Sequence, residues 1–259
     1  MPRPMTVVES VMTEEGALEL CRRDERDFLI TINRRVLMTS TAHKSELILG
    51  QLGCQTVAGL DSPHVLLGGL GMGYTLRGAL DVLPPGARVT VAELNPVVER
   101  WCRGPIAHLC DNALDDPRVA VVIADLMGQV REAPQGFYDA IVLDLYEGPN
   151  SSTHPVRDPF YGRTAISEFK AALRPGGMLA IWSEQADAGF EGRLRDAGFK
   201  VEIARSGRGG FRYAVYLATQ GSGSSPSRRS QARSSGGTVR DPDRRSAGKP
   251  GRSSRSGKR

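Results

Sequence analysis

Apolar positions follow two different rhythms along this chain. From Ala17 to about Gln55 they come in short runs. Leu18-Glu19-Leu20 and Phe28-Leu29-Ile30-Thr31-Ile32 read as strands, and Asn33-Arg34-Arg35 supplies a turn into a third, Val36-Leu37-Met38. Residues 45–52 then read as a helix closed by Gly53. From His64 to about Thr219 strand and helix patterns alternate, which predicts a mainly parallel α/β sheet. Val65-Leu66-Leu67 is wholly apolar, as a central strand buried on both faces must be. Further strands are predicted at 88–92, 119–124, 138–143 and 178–182, with helices around 75–82, 96–103, 126–132, 164–173 and 190–197. The last two strands, 199–204 and 211–218, flank the Gly-rich turn 206–210. That is a hairpin, so one terminal strand runs antiparallel.

The expected organisation is a small β-rich cap with its linking helix over 1–56, an α/β domain over 57–220, and a tail over 221–259. Composition changes the picture mainly at that tail. The formal charge is +5, but eleven of the 34 Lys and Arg and only two of the 29 Asp and Glu lie in 221–259. The other 220 residues carry 23 basic and 27 acidic side chains. Basicity is therefore an argument about the tail alone, and nucleic-acid contact is expected only there. Ser, Gly and Arg dominate this segment, which lacks aromatic residues, so no packed core is expected in it.

Cys21, Cys54, Cys102 and Cys110 form no CxxC pair and no zinc-like spacing with the four histidines. They read as buried thiols of a reducing compartment, and no metal is expected. Residues 1–15 hold no apolar run of signal-peptide length, and nothing approaches the roughly 20 apolar residues of a membrane span. The expectation is a soluble, cytoplasmic protein without membrane contact.

The richest stretch is Val65-Leu66-Leu67-Gly68-Gly69-Leu70-Gly71-Met72-Gly73. Glycines directly after a buried strand let the backbone turn sharply and approach a ligand before a helix begins. Glu93 ends the second strand of the domain, where a carboxylate accepts from ribose hydroxyls. Asp125 ends the third, placed to accept from an adenine amino group, and Asp144 ends the fourth. Ligands of such sheets bind beyond the carboxyl ends of the strands, so these acids mark a nucleoside site. A nicotinamide fingerprint wants Gly or Ala at the third position of G-x-G-x-x-G, which counted from Gly69 is the far larger Tyr74. The spacing is instead G-x-G-x-G through Gly69, Gly71 and Gly73. With the terminal hairpin, this resembles the Rossmann-like sheet of class I methyltransferases.

Gly69 through Arg77 further resembles the glycine loop and Thr-Leu-Arg of spermidine synthases. Glu93 and Asp125 match the acids of that family, and Asp144-Leu145-Tyr146-Glu147-Gly148-Pro149 its loop of two acids three apart. Asp158-Pro159-Phe160-Tyr161 is similar to a later Phe-Tyr element, and Arg174-Pro175-Gly176-Gly177 to a turn shared with many methyltransferases. The resemblance implies transfer of an aminopropyl group from decarboxylated S-adenosylmethionine to a small amine such as putrescine, and a homodimer. Three positions depart from the family. Met72 stands where the family has an Asp that holds the aminopropyl amine, Glu147 where it has Asp, and Trp182 where it has Gln.

Both aminopropyl and methyl transfer are displacements at a carbon next to a sulfonium. The donor brings its leaving group, so the protein must position and deprotonate the acceptor. An aliphatic amine has a pKa of roughly 10 and is almost wholly protonated at neutral pH. A nearby carboxylate attracts the ammonium and then takes its proton. Asp144 is assigned that role, with Glu147 binding the amine or sharing the proton and Tyr146 and Tyr161 orienting it. His154 is a further candidate base in the same loop, and His43 and Glu46 close the pocket from the cap. An acid at position 72 would attract the amine of the decarboxylated donor by about 4 kcal/mol at 4 Å and effective dielectric 20. Met72 removes it, which keeps methyl transfer from S-adenosylmethionine open, as does the bulk of Trp182. A third expectation is a weakly catalytic nucleotide-binding protein tethered to nucleic acid by its tail.

Overall fold

The structure, a computed structural model, describes residues 5–146, 148–150, 157–205 and 213–221. All lie in one compact unit spanning residues 1–223. Four antiparallel strands, β1 (Thr6–Thr13), β2 (Gly16–Arg22), β3 (Phe28–Ile32) and β4 (Arg35–Thr39), form a meander in that order. Helix α1 (Lys44–Gln55) links it to a seven-stranded sheet. The strands of that sheet are β5 (His64–Gly68), β6 (Arg88–Glu93), β7 (Val119–Ile123), β8 (Tyr138–Leu143), β9 (Leu173–Ser183), β10 (Phe199–Arg205) and β11 (Ala214–Gln220). Their order is β10-β11-β9-β8-β5-β6-β7, with β11 alone antiparallel to its two neighbours. The α/β class, the cap and the terminal hairpin are as expected; the turn 206–210 lies outside the described residues.

Period-two alternation sorts each apolar strand onto two cores. Val65 and Leu67 of β5 and Ala140 and Val142 of β8 join one core, whereas Leu66, Ile141 and Leu143 join the other. The first core takes residues of α1, α2 (Tyr74–Val82) and α3 (Pro96–Arg103). The second takes α4 (Leu126–Glu132), α5 (Arg163–Ala172) and α6 (Ala188–Asp196). A continuous apolar run in the sequence is thus one strand serving two helix layers.

Four details differ from expectation. Strand β1 was not predicted: most of its side chains remain solvent-facing, so no alternation marks it. It is held by pairing to β2 and by Glu9, which accepts from Trp101 Nε1 at 2.7 Å and pairs with Arg100. Second, Gly53 does not close α1, which runs on to Gln55. A Cβ at Gly50 would lie 2.1 Å from the Thr75 carbonyl oxygen, and one at Gly53 2.8 Å from Val142. These glycines serve close helix contact, and that need overrode their low helix propensity. Third, β9 begins at Leu173 rather than 178, because Leu173 pairs with Tyr138 before a register shift around Arg174–Gly177. Fourth, Asp125 lies past the end of β7 and caps α4.

Tyr74 opens α2 directly after the glycine loop and is buried. Its ring stacks on His43 with centroids 4.3 Å apart, and its hydroxyl donates to the Ser40 carbonyl at 3.4 Å. The large residue that argued against a dinucleotide fingerprint therefore fastens the linking segment to the sheet domain. Among the described residues no helix is long and apolar enough to cross a membrane.

Candidate active site

Beyond the carboxyl ends of β5, β6 and β8, under the cap, lies a cavity of about 500 Å³. That volume is in the range of small-ligand sites. The glycine loop forms its floor. Gly69, Gly71 and Gly73 all adopt left-handed backbone, with φ of 90°, 52° and 82°. At Gly69 a Cβ would sit 2.6 Å from the Asp144 carbonyl oxygen, and at Gly71 2.8 Å from Met38 Sδ. Only glycine meets both requirements at these two positions. Gly69 and Gly71 line the cavity; Gly73 instead caps α2 and faces Cys110.

Glu93 is 7% exposed at the end of β6. Its Oε2 accepts from Leu70 N–H and its Oε1 from Asn95 N–H, each at 2.9 Å. Burial pushes its carboxyl above the usual range, while the backbone donors pull it down. The side chain thus fastens the glycine loop, and a carboxylate keeps acceptor capacity beyond these backbone bonds. Asp125 spends one oxygen on Gly128 N–H at 2.8 Å as the α4 cap. Both acids line the cavity beside Leu94, Asn95, Val98, Ala124 and Leu126. That is a mixed apolar and acidic slot suited to a nucleoside.

Asp144 follows β8, where its N–H donates to the Gly68 carbonyl at 2.9 Å. Its Oδ2 accepts from Thr75 Oγ1 at 2.5 Å. Burial raises its pKa to about 7, the nearby Glu46 raises it as well, and the threonine bond opposes both. Glu46, on the first turn of α1, is itself 9% exposed and raised chiefly by burial. Tyr161 is 2% exposed, and burial together with Asp158 and Asp144 drives its phenol far above the usual range. Asp158 accepts from the N–H groups of Phe160 and Tyr161, both at 2.8 Å, which fixes this turn against the cavity. Trp182 lines the same end, and its Nε1 is buried with no hydrogen-bond partner among the described residues.

The structure therefore gathers Gly69, Gly71, Glu93, Asp125, Asp144, Tyr146 and Tyr161 around one cavity, with Glu46 beside them. His43 does not line it; its Nδ1 lies 2.7 Å from the Ser40 carbonyl. Glu147 and His154 lie outside the described residues. Met72 is fully buried in the first core and contributes nothing to the lining. Sequence reasoning missed Glu15 and Glu184 as lining acids and gave Asp158 no role of its own. Glu15 sits in the β1–β2 turn, and no local pattern announces that this turn reaches the cavity. Altogether seven carboxylates and no basic side chain line it among the described residues.

A seven-stranded sheet of this order, with acids at the ends of β6 and β8, is the class I methyltransferase-like fold. Comparison of the whole structure with solved structures agrees. A spermidine synthase in complex with the transition state analogue AdoDATO superposes with a TM-score of 0.65 at 17% identity, over 83% of this chain and 72% of that one. The spermidine synthase from Thermotoga maritima gives 0.63 at 17%, over 83% and 73%. In sequence, polyamine aminopropyltransferase 1 of Streptomyces coelicolor is 41% identical over 129 residues, 48% of this chain and 23% of the relative. The polyamine aminopropyltransferase of Mycobacterium tuberculosis is 30% identical over 174 residues, 64% and 27%. Putrescine N-methyltransferase 4 of Nicotiana tabacum is 32% identical over 120 residues, 46% and 29%. The matches span between a quarter and a third of the length of most of these curated relatives. No family model matches the chain. The chain is similar to polyamine aminopropyltransferases in sequence over about half to two thirds of its length, and to spermidine synthases in fold over most of it.

Proposed function

We propose that this chain is a transferase that alkylates a small amine from an adenosyl sulfonium donor, with aminopropyl transfer to a diamine such as putrescine as the leading reaction. The observation that carries this reading is the charge of the cavity: seven carboxylates and no basic side chain among the described residues. Such a lining repels anions and favours a sulfonium together with an ammonium. The relatives named above include aminopropyltransferases and putrescine N-methyltransferases, which supports small polyamines as the acceptor class.

The donor fits the residues present. Glu93 has acceptor positions left for ribose hydroxyls, Asp125 has one uncommitted oxygen, and Leu94, Val98 and Leu126 offer apolar walls. When bound, it supplies the electrophilic carbon and its own thioether leaving group. The remaining work falls to the chain. Asp144 attracts the acceptor ammonium and accepts one proton as the nitrogen–carbon bond forms and the carbon–sulfur bond breaks. Its pKa near 7 lets it ionise at neutral pH while keeping appreciable affinity for that proton. Tyr161 and Tyr146 line the same end and orient the amine; Glu147 is retained as the second acid of the loop.

Methyl transfer from S-adenosylmethionine is the second reading, and one observation favours it. Met72 lies wholly in the core, so the loop presents no acid at the position expected to hold the aminopropyl amine. Calorimetric titration with both donors separates the two. Tenfold or greater preference for the decarboxylated donor is expected; equal preference for S-adenosylmethionine overturns aminopropyl transfer, and binding of neither overturns both.

A further inference from the structure

Two carboxylates from different elements meet at the acceptor end of the cavity, and each has one oxygen tied down. Asp144 Oδ2 is held by the Thr75 hydroxyl at 2.5 Å. Glu46 Oε2 is held by the Ser45 hydroxyl, also at 2.5 Å. Among the described residues no other residue donates to Asp144 Oδ1 or Glu46 Oε1. Glu46 is nine-tenths buried, and both side chains line the cavity. Desolvated carboxylates with few donors are costly, and a neighbouring like charge adds to the cost. A cationic donor placed between them relieves both penalties.

Thr75 ties this arrangement together. Besides Asp144, its Oγ1 lies 3.3 Å from the Glu46 backbone carbonyl, so one side chain of α2 touches both acid-bearing segments. Helices α1 and α2 pack with glycine-close contact at Gly50 and Gly78, which holds Glu46 at a fixed depth. Burial raises the carboxyls of both acids and Glu46 raises that of Asp144 further, whereas the Ser45 bond and His43 pull Glu46 down.

We infer that Glu46 is a second acceptor-binding residue, which holds the reacting ammonium jointly with Asp144 through the two oxygens not held by the Ser45 and Thr75 hydroxyls. Asp144 accepts the proton; Glu46 binds and does not transfer. This inference rests on the reading of the site as an amine-alkylating one. It also makes the linking helix part of the substrate site, so acceptor choice is written partly outside the sheet domain.

The test uses the full chain and its Glu46→Gln and Glu46→Asp variants, titrated calorimetrically with putrescine in the presence of saturating donor product. Glu46→Gln is expected to weaken putrescine binding at least tenfold, Glu46→Asp to restore part of it, and donor affinity to stay within twofold in each. Thermal melting of each variant reports folding. Putrescine affinity within twofold of wild type in a folded Glu46→Gln variant overturns the inference and leaves the transferase reading standing. A loss confined to donor affinity overturns it equally. Wild-type protein that binds neither putrescine nor its homologues overturns both.

Discussion

Asp144 shows how one residue acquires a working pKa from its surroundings. A carboxyl in water ionises near 4, whereas burial and the adjacent Glu46 bring this one to about 7 against the opposing Thr75 bond. The groups facing it are Glu46 from α1, Thr75 from α2 and Tyr161 from the turn before α5. Since the proposed base must be ionised to take a proton, turnover is expected to rise with pH through about 7 and level off above it. Asp144→Asn should abolish that limb and lower kcat by at least about 100-fold, the usual contribution of a positioned base. The stability consequence has the opposite direction. Between its ordinary value near 3.8 and about 7, the native state binds the proton that the unfolded chain releases. Stability of the ligand-free protein therefore falls as pH rises through that window. Melting of the Asp144→Asn variant should lack this decline, and an identical pH dependence in the two proteins would contradict the assignment. Residues of this kind were legible in sequence because they end strands. Glu93 and Asp144 sit where strand periodicity stops, and position alone pointed to them. Glu46 was read only as a residue closing the pocket, since its pairing with Asp144 depends on how α1 lies against α2.

Among the elements, α1 carries the clearest lesson. Gly53 reads as a helix end in the chain, yet it and Gly50 are both interior positions where another element presses close. A Cβ at Gly50 meets main-chain atoms of α2, which cannot swing aside. Gly50→Ala should cost about 1–3 kcal/mol through overpacking, and so lower the melting temperature by roughly 2–12 °C. A melting temperature unchanged within 1 °C would mean the helices are not so tightly apposed. Strand β1 is not legible in the sequence for the converse reason. Its outer face packs on nothing, so hydrophobicity gives no period, and only pairing and the Glu9 contacts to α3 define it. The reading of β8 succeeded because its six residues are all buried, a run that few other elements produce.

At the scale of the whole molecule, cap and sheet domain enclose the site together. Leu18, Ile30, Leu37 and Met38 of the cap strands line the cavity opposite Glu93 and Asp144. The sequence showed a cap and an α/β domain as separate rhythms, but not that the cap's β1–β2 turn brings Glu15 to the site. The basic segment 221–259 lies outside the described residues beyond Gly221, and its proposed contact with nucleic acid is a separate matter from catalysis. Deleting it should leave melting temperature and donor affinity unchanged while reducing retention on immobilised nucleic acid; unchanged retention would refute the tether.

The central claim is transfer of a group from an adenosyl sulfonium to a small amine in this acidic cavity. Its most direct test is mass analysis of product after incubating the purified chain with putrescine and, separately, each donor. Putrescine enlarged by an aminopropyl group is expected with the decarboxylated donor, and at least about 100-fold less of it from Asp144→Asn in the same time. A product carrying only a methyl group would move the protein to the second reading, and unaltered putrescine with both donors would contradict the account.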